Sequence, residues 1–193
     1  MLDFQNPFQD SFSGYHGWGN PKHADSFKQA LKCFEHARFS ARFYRLMNAL
    51  RRRESRLMDL NLLPVSRISN RHYGGVRAVL INQIYGTLGR GEDFDDQFHP
   101  LADRSRDRWV TIAMLRLQGQ PVDAVRLIQV GDRYFVEDGH HRISVACALG
   151  QIVIDAEITV WEFNGTLPWQ AQSSPETGCA CLPDESGLSP FGA

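Results

Sequence analysis

Lysine is the scarcest charged residue in this chain of 193 residues: Lys22, Lys28 and Lys32 are the only ones. Everything downstream must therefore do without a lysine-anchored phosphate loop or a lysine Schiff base, unless the first helix folds over it. Cationic chemistry falls to arginine, whose planar fork suits two-pronged contact with oxyanions. Cysteine is nearly as sparse. Cys33, Cys147, Cys179 and Cys181 show neither metal-site spacing nor a disulfide framework. Cys33 and Cys147 fall on apolar helix positions and read as buried thiols, whereas Cys179 and Cys181 read as a silent pair in a loose tail. Such usage suits a reducing cytoplasm. No apolar run approaches the ~20 residues of a membrane span, so no membrane partner is expected. The opening MLDFQNPFQDSF lacks the basic-then-apolar order of a signal peptide. No internal repeat is found. A hydrophobic fraction of 42% and a net charge of −1 describe an ordinary soluble protein, one domain with appendages.

What is present centres on Arg133–Gly150, RYFVEDGHHRISVACALG. Tyr134 and Val136 fall at the strand period of two, between Arg133 and Glu137. Asp138-Gly139 is a turn pair, and aspartate is a favoured helix cap. From His140 the apolar residues switch to helical spacing, and Gly150 stands where a helix C-terminal glycine belongs. A helix start fed by a glycine turn presents unpaired N–H groups and partial positive charge. With His140, His141 and Arg142 in its first turn, phosphate is the natural ligand. A plain strand–turn–helix needs the same cap and glycine, so the generic reading stands beside this one.

Residues 1–22, broken by Gly17, Gly19 and Pro21, read as a disordered arm. Residues 24–60 read as a basic helical segment, in one helix or two, with Phe27, Leu31, Phe34, Phe43, Leu46 and Leu50 at spacings of three and four. Residues 28–56 carry nine Lys or Arg against two Glu. Such a run is commonly a solvated helix face. It also suits a nucleic-acid backbone, or docking onto the chain's own later acids, Glu92, Asp93, Asp95, Asp96, Asp103 and Asp107. A sequence pI of about 6.6 argues against strong DNA binding.

Asn61–Arg77, with Pro64 and Gly74-Gly75, reads as a linker, and Val76–Ile84 as a strand. In Gly86–Leu101 two turn glycines precede Arg90, and Phe94-Asp95 follows. Asp103–Gln118 reads as a helix with Trp109, Ile112, Ala113 and Leu117 on one face. Pro121–Val130 reads as a strand joined through a Gly131-Asp132 hairpin to Arg133–Val136. Ile152–Phe163 reads as the last strand, closing the sheet. Residues 164–193 read as a disordered tail in which Trp169 alone is a candidate to dock.

Gly139-His140-His141-Arg142, followed by Ala146 and Leu149-Gly150, resembles the Gly-Glu-Arg-Arg box of ParB-type partition proteins, at the same offsets. It is also similar to the Gly-Cys-His-Arg signature of sulfiredoxin, which shares that fold. The stretch around Arg90 and Phe94-Asp95 looks like the first ParB box. The likeness covers residues 76–163. It extends back to about Ala24 for a group of uncharacterised prokaryotic ParB-like domain proteins with an Asp-Gly-Asn/His-His-Arg box.

The resemblance implies an α+β domain, a small mixed sheet flanked by helices, preceded by the long basic helical segment. It further implies a nucleoside triphosphate as partner, with Gly139, His140, His141, Arg142 and Arg90 on the phosphates. Magnesium with ATP or CTP would be the cofactor, Asp95 or Asp138 its contacts. Hydrolysis or kinase-like phosphoryl transfer would use Asp138 and His141 as catalytic groups.

The departures matter. Sulfiredoxin's reactive cysteine falls at His140, so that thiol chemistry is missing. The ParB glutamate also falls at His140, and its first arginine at His141. No helix-turn-helix pattern follows Gly150, which removes the sequence-reading part of a partition protein. DNA, reached through the basic helix, is the alternative partner, and a non-catalytic partner-binding domain is the third reading. Adjacent helical histidines diverge by about 100°, so zinc is not expected at His140-His141.

Overall fold

The computed structural model describes residues 21–52, 56–89 and 92–170. Among these residues three α-helices and six strands make an α+β protein whose mixed sheet has the order β1-β3-β5-β4-β6-β2. The strands are β1 (Met58–Asp59), β2 (Ile68–Leu80), β3 (Ile84–Thr87), β4 (Val125–Val130), β5 (Arg133–Asp138) and β6 (Val153–Phe163). The helices are α1 (Pro21–Leu50), α2 (Arg106–Leu117) and α3 (His140–Ala148). The Gly131-Asp132 hairpin joins β4 to β5 as the turn chemistry predicts, with Val130 opposite Arg133. The α3 crossover then returns the chain so that β6 runs parallel to β4.

Alternation along the strands separates two cores. On one face Val125, Leu127, Val136, Ile154, Ala156 and Ile158 pack under Ile143 and Ala146 of α3. On the other, Ile128, Val130 and Phe135 lie beneath Leu60, Leu63, Leu167 and Trp169. A third cluster sits outside α3, where Val145 meets Trp109, Val110 and Ala113 of α2 and Ala30, Phe34 and Ala37 of α1. Alanine at those α1 positions allows close approach, and the Phe34 and Trp109 rings meet at 5.3 Å. Apolar side chains therefore face α3 from two sides.

Four expectations are corrected. The region read as a linker holds most of β2, which pairs antiparallel with β6 from Ile68–Phe163 to Leu80–Val153. Its alternation is hidden because only one pair partner covers this edge strand, leaving most of its side chains exposed. β6 does not close the sheet but lies inside it, between β4 and β2. The tail does not leave the fold at Asn164: Leu167 and Trp169 are buried, and Trp169 Nε1 donates to Asp132 at 3.1 Å. Finally, α1 is one helix ending at Leu50, and it buries Ala30, Phe34, Ala37 and Ala41 rather than the whole phenylalanine–leucine stripe. Of the expected arm over residues 1–22, Pro21 and Lys22 instead open α1, while residues 1–20 and the tail beyond Gln170, with Cys179 and Cys181, lie outside the described residues. Among the described residues no helix is long and apolar enough to cross a membrane.

Candidate functional site

Strand β5 delivers the chain to α3 through Gly139, the residue at the cap position, with φ of +102°. A side chain there would be strained by that φ, and a Cβ would stand 2.7 Å from Val125 Cγ1. Glycine is thus required twice over, by conformation and by the closeness of β4. Asp138 does not occupy the cap position. Its Oδ2 accepts from Arg142 Nη2 at 2.6 Å. Arg142 Nη1 donates to the carbonyls of Ala124 and Asp123, at 2.7 and 3.1 Å. The Arg142 side chain is only 14% exposed, and its guanidinium fastens the approach to β4 onto the first turn of α3.

His140 and His141 point inward. His140 Nε2 lies 2.6 Å from Thr87 Oγ1 at the end of β3, in a hydrogen bond whose direction depends on the imidazole tautomer. The Phe94 ring stacks on His140 at 6.0 Å and 18° and meets His141 edge-on at 5.2 Å and 87°. The two glycine-rich stretches singled out in the sequence therefore converge. The turn leaving β3, the Phe94-Asp95 turn and the start of α3 share one place, and Leu88 N–H donates to Val136 O across the β3 exit.

Asp95 is fully buried and serves its own turn. Its Oδ1 accepts the N–H groups of His99 at 2.8 Å and Gln97 at 3.0 Å, while Oδ2 lies 2.9 Å from His99 Nδ1. This network holds the sharp reversal in which Phe98 adopts a φ of +58°. Next to it, Asp96 Oδ2 accepts from the Tyr44 hydroxyl of α1 at 3.2 Å. Burial, then the neighbouring charge of Asp95, pushes the Asp96 carboxyl above the ordinary carboxylate range. Arg38 of α1 pairs with Asp103. The basic helix does dock on acidic groups of its own chain through these contacts.

Of the residues chosen from sequence, Gly139, His140 and His141 lie together at the helix start, Asp138 and Arg142 are bound to each other beside it, and Asp95 is turned into its loop. Arg90 lies outside the described residues, three positions beyond the end of β3. Thr87, Tyr44, Asp96 and His99 were not foreseen. Only the doubled aspartate after Phe94 hinted at them. Among the described residues, no group of three or more His, Cys, Asp or Glu is arranged to hold a metal ion. Asp95 has both carboxylate oxygens engaged within its turn, whereas Asp138 gives one oxygen to Arg142. Cys147 is half-buried, and burial pushes its thiol up to about 11, which removes it from nucleophilic chemistry near neutral pH.

No protein-family model matches this chain. Comparison with curated proteins finds no match either. Among solved structures, sulfiredoxin from Arabidopsis thaliana is similar over 47% of this chain and 86% of its own, at 21% identity and a TM-score of 0.30. A superposition that loose assigns no role to any residue here.

Proposed function

We propose that this protein binds a nucleoside triphosphate by its phosphates at the start of α3. The observation that supports this is the convergence of the β3 exit, the Phe94 turn and the Gly139 cap through the Thr87–His140 bond and the Phe94 stack. Backbone N–H groups of the first turn are the donors in this reading, reinforced by the partial positive charge of the helix start. Arg90, three residues beyond the end of β3 in the sequence, supplies the guanidinium in this reading. Arg142 and Asp138 act one step back: they hold the first turn against β4 and so fix where its N–H groups point. Magnesium enters only as the counter-ion that travels with the triphosphate. Transfer or hydrolysis of the phosphate, with His141 or Asp138 handling a proton, is a further step of the same proposal.

Calorimetry with ATP, CTP and GTP tests it. Arg90→Ala is expected to weaken binding about tenfold to over a hundredfold, the worth of one charge-assisted hydrogen bond, with an unchanged melting curve. Failure of every triphosphate to bind, or an unaltered affinity in Arg90→Ala, would remove the proposal.

A second reading, nucleic-acid binding along α1, is favoured by one observation. Lys28, Lys32, Arg42, Arg45, Arg51 and Arg52 are all exposed, and none of them is ion-paired among the described residues.

A further inference from the structure

Phe39, Phe43, Leu46 and Leu50 recur at spacings of four, three and four along α1, so they form one face of the helix. They are 59–72% exposed, and nothing among the described residues covers them. Arg42 and Arg45 stand among them, Arg51 and Arg52 follow, and all four arginines are exposed. Whatever occupies this face must bring apolar side chains and negative charge together. A second copy of α1 would set the same arginines against each other. The tail beyond Gln170 starts beside Trp169, on the face of the sheet opposite α3 and α1.

The twenty residues before Pro21 have the required chemistry. They contain Phe4, Phe8 and Phe12, carry Asp3 and Asp10, and hold no Lys or Arg. Their length also fits. At about 1.5 Å per helical residue the exposed face runs from ~27 to ~44 Å along α1 from Pro21. A turn spent at Gly17–Asn20 leaves residues 1–16, which reach ~53 Å when extended at about 3.3 Å each. Phe8 then falls level with Phe39 at ~26 Å, and Phe4 between Leu46 and Leu50 at ~40 Å.

We propose that residues 1–20 fold back antiparallel along α1, seating Phe8 and Phe4 on the Phe39–Leu50 face with Asp3 beside Arg51. Tethering makes the contact intramolecular, at an effective concentration that a free peptide would need millimolar levels to match. The arm then covers the same basic face that a nucleic acid would use, as an intramolecular competitor. This inference is independent of the phosphate site at α3.

The test is photo-crosslinking in the full chain with p-benzoylphenylalanine in place of Phe43, an exposed position that tolerates the larger ring. Crosslinks are expected within a single chain, mapping to residues 1–16. Asp3→Arg with Asp10→Arg should lower their yield at least about twofold, since the Asp3–Arg51 pair is lost and like charges then face α1. Asp184→Arg in the tail should leave the yield unchanged. Crosslinks to a second copy, crosslinks to residues 171–193, the absence of any to residues 1–16, or an unchanged yield in the Asp3/Asp10 double variant would each overturn the proposal.

Discussion

At the scale of single residues, Arg142 shows how an acceptor-rich backbone redirects a cation. A guanidinium in the first turn of a helix reads as an anion ligand, yet here three acceptors of its own chain receive it. Arg142→Ala leaves the carbonyls of Asp123 and Ala124 and the Asp138 carboxylate without their donor. Hydrogen bonds to charged groups are worth about 1.5–3 kcal/mol each, so denaturant unfolding should show a loss of at least ~2 kcal/mol. Arg142→Lys should recover only part of it, because one ammonium cannot span all three acceptors. An unchanged stability in Arg142→Ala would mean that the brace contributes nothing and that the side chain is available for a ligand.

Asp96 provides a pH signature at the same scale. A carboxyl whose folded pKa is raised costs stability when ionised. The cost is complete above the folded pKa and gone below the ordinary value of 3.8. Asp96→Asn keeps an acceptor for the Tyr44 hydroxyl while removing the charge. It should therefore raise the melting temperature near about pH 7, with the gain fading as pH falls toward the unfolded carboxylate range. A gain that persists undiminished at about pH 3 would show that charge is not its cause.

At the scale of elements, the strands and helices are held from unexpected places. The segment after β6 reads as polar tail, yet Leu167 and Trp169 seal the face of the sheet that carries Ile128 and Phe135, with the Phe135 and Trp169 rings 5.5 Å apart. Cutting after Phe163 removes both side chains. Truncating one large buried residue costs about 3–5 kcal/mol, so this cut should destabilise by at least that much in chemical denaturation. A truncated chain with the stability of the full one would mean that the seal is dispensable. Gly86 makes a similar point for β3. A Cβ there would lie 2.1 Å from Met58 O and 2.7 Å from the Phe135 ring, so the β1–β3 pairing depends on glycine.

At the scale of the whole molecule, charge is unevenly spread: residues 28–56 carry nine Lys or Arg against two Glu, and residues 92–107 six Asp or Glu against two Arg. The two regions meet through Arg38–Asp103 and Tyr44–Asp96, and the Tyr44 and His99 rings lie 6.0 Å apart. A net charge of −1 gives no long-range pull toward a polyanion. Duplex binding along α1 could engage six exposed cations, Lys28, Lys32, Arg42, Arg45, Arg51 and Arg52. A plot of log affinity against log salt should then have a slope no steeper than about −5. A steeper slope would place the nucleic acid on another surface.

What the sequence determined by itself is what short-range physics encodes. Gly131-Asp132 set a hairpin because its turn conformation is local. Gly139 set the strand-to-helix junction because only glycine sits easily at positive φ, and Gly150 closed the same helix for the same reason. β4 and β5 were readable as short apolar runs between turn signals, covered on both faces, and α2 and α3 by apolar residues at helical spacing. Tertiary structure alone decided the rest. β2 is an edge strand with one covered neighbour, so its residues carry no alternating pattern until β6 is placed beside it. Leu167 and Trp169 have no period to betray them and become core only because the sheet offers an uncovered face. His140 and His141 read as phosphate ligands at a helix start. They are buried because the start of α3 lies against the Phe94 turn and the end of β3, segments some fifty positions away in the chain. Whether a side chain in that first turn meets a ligand or its own fold depends on which acceptors the distant chain brings within reach, and no local pattern carries that information.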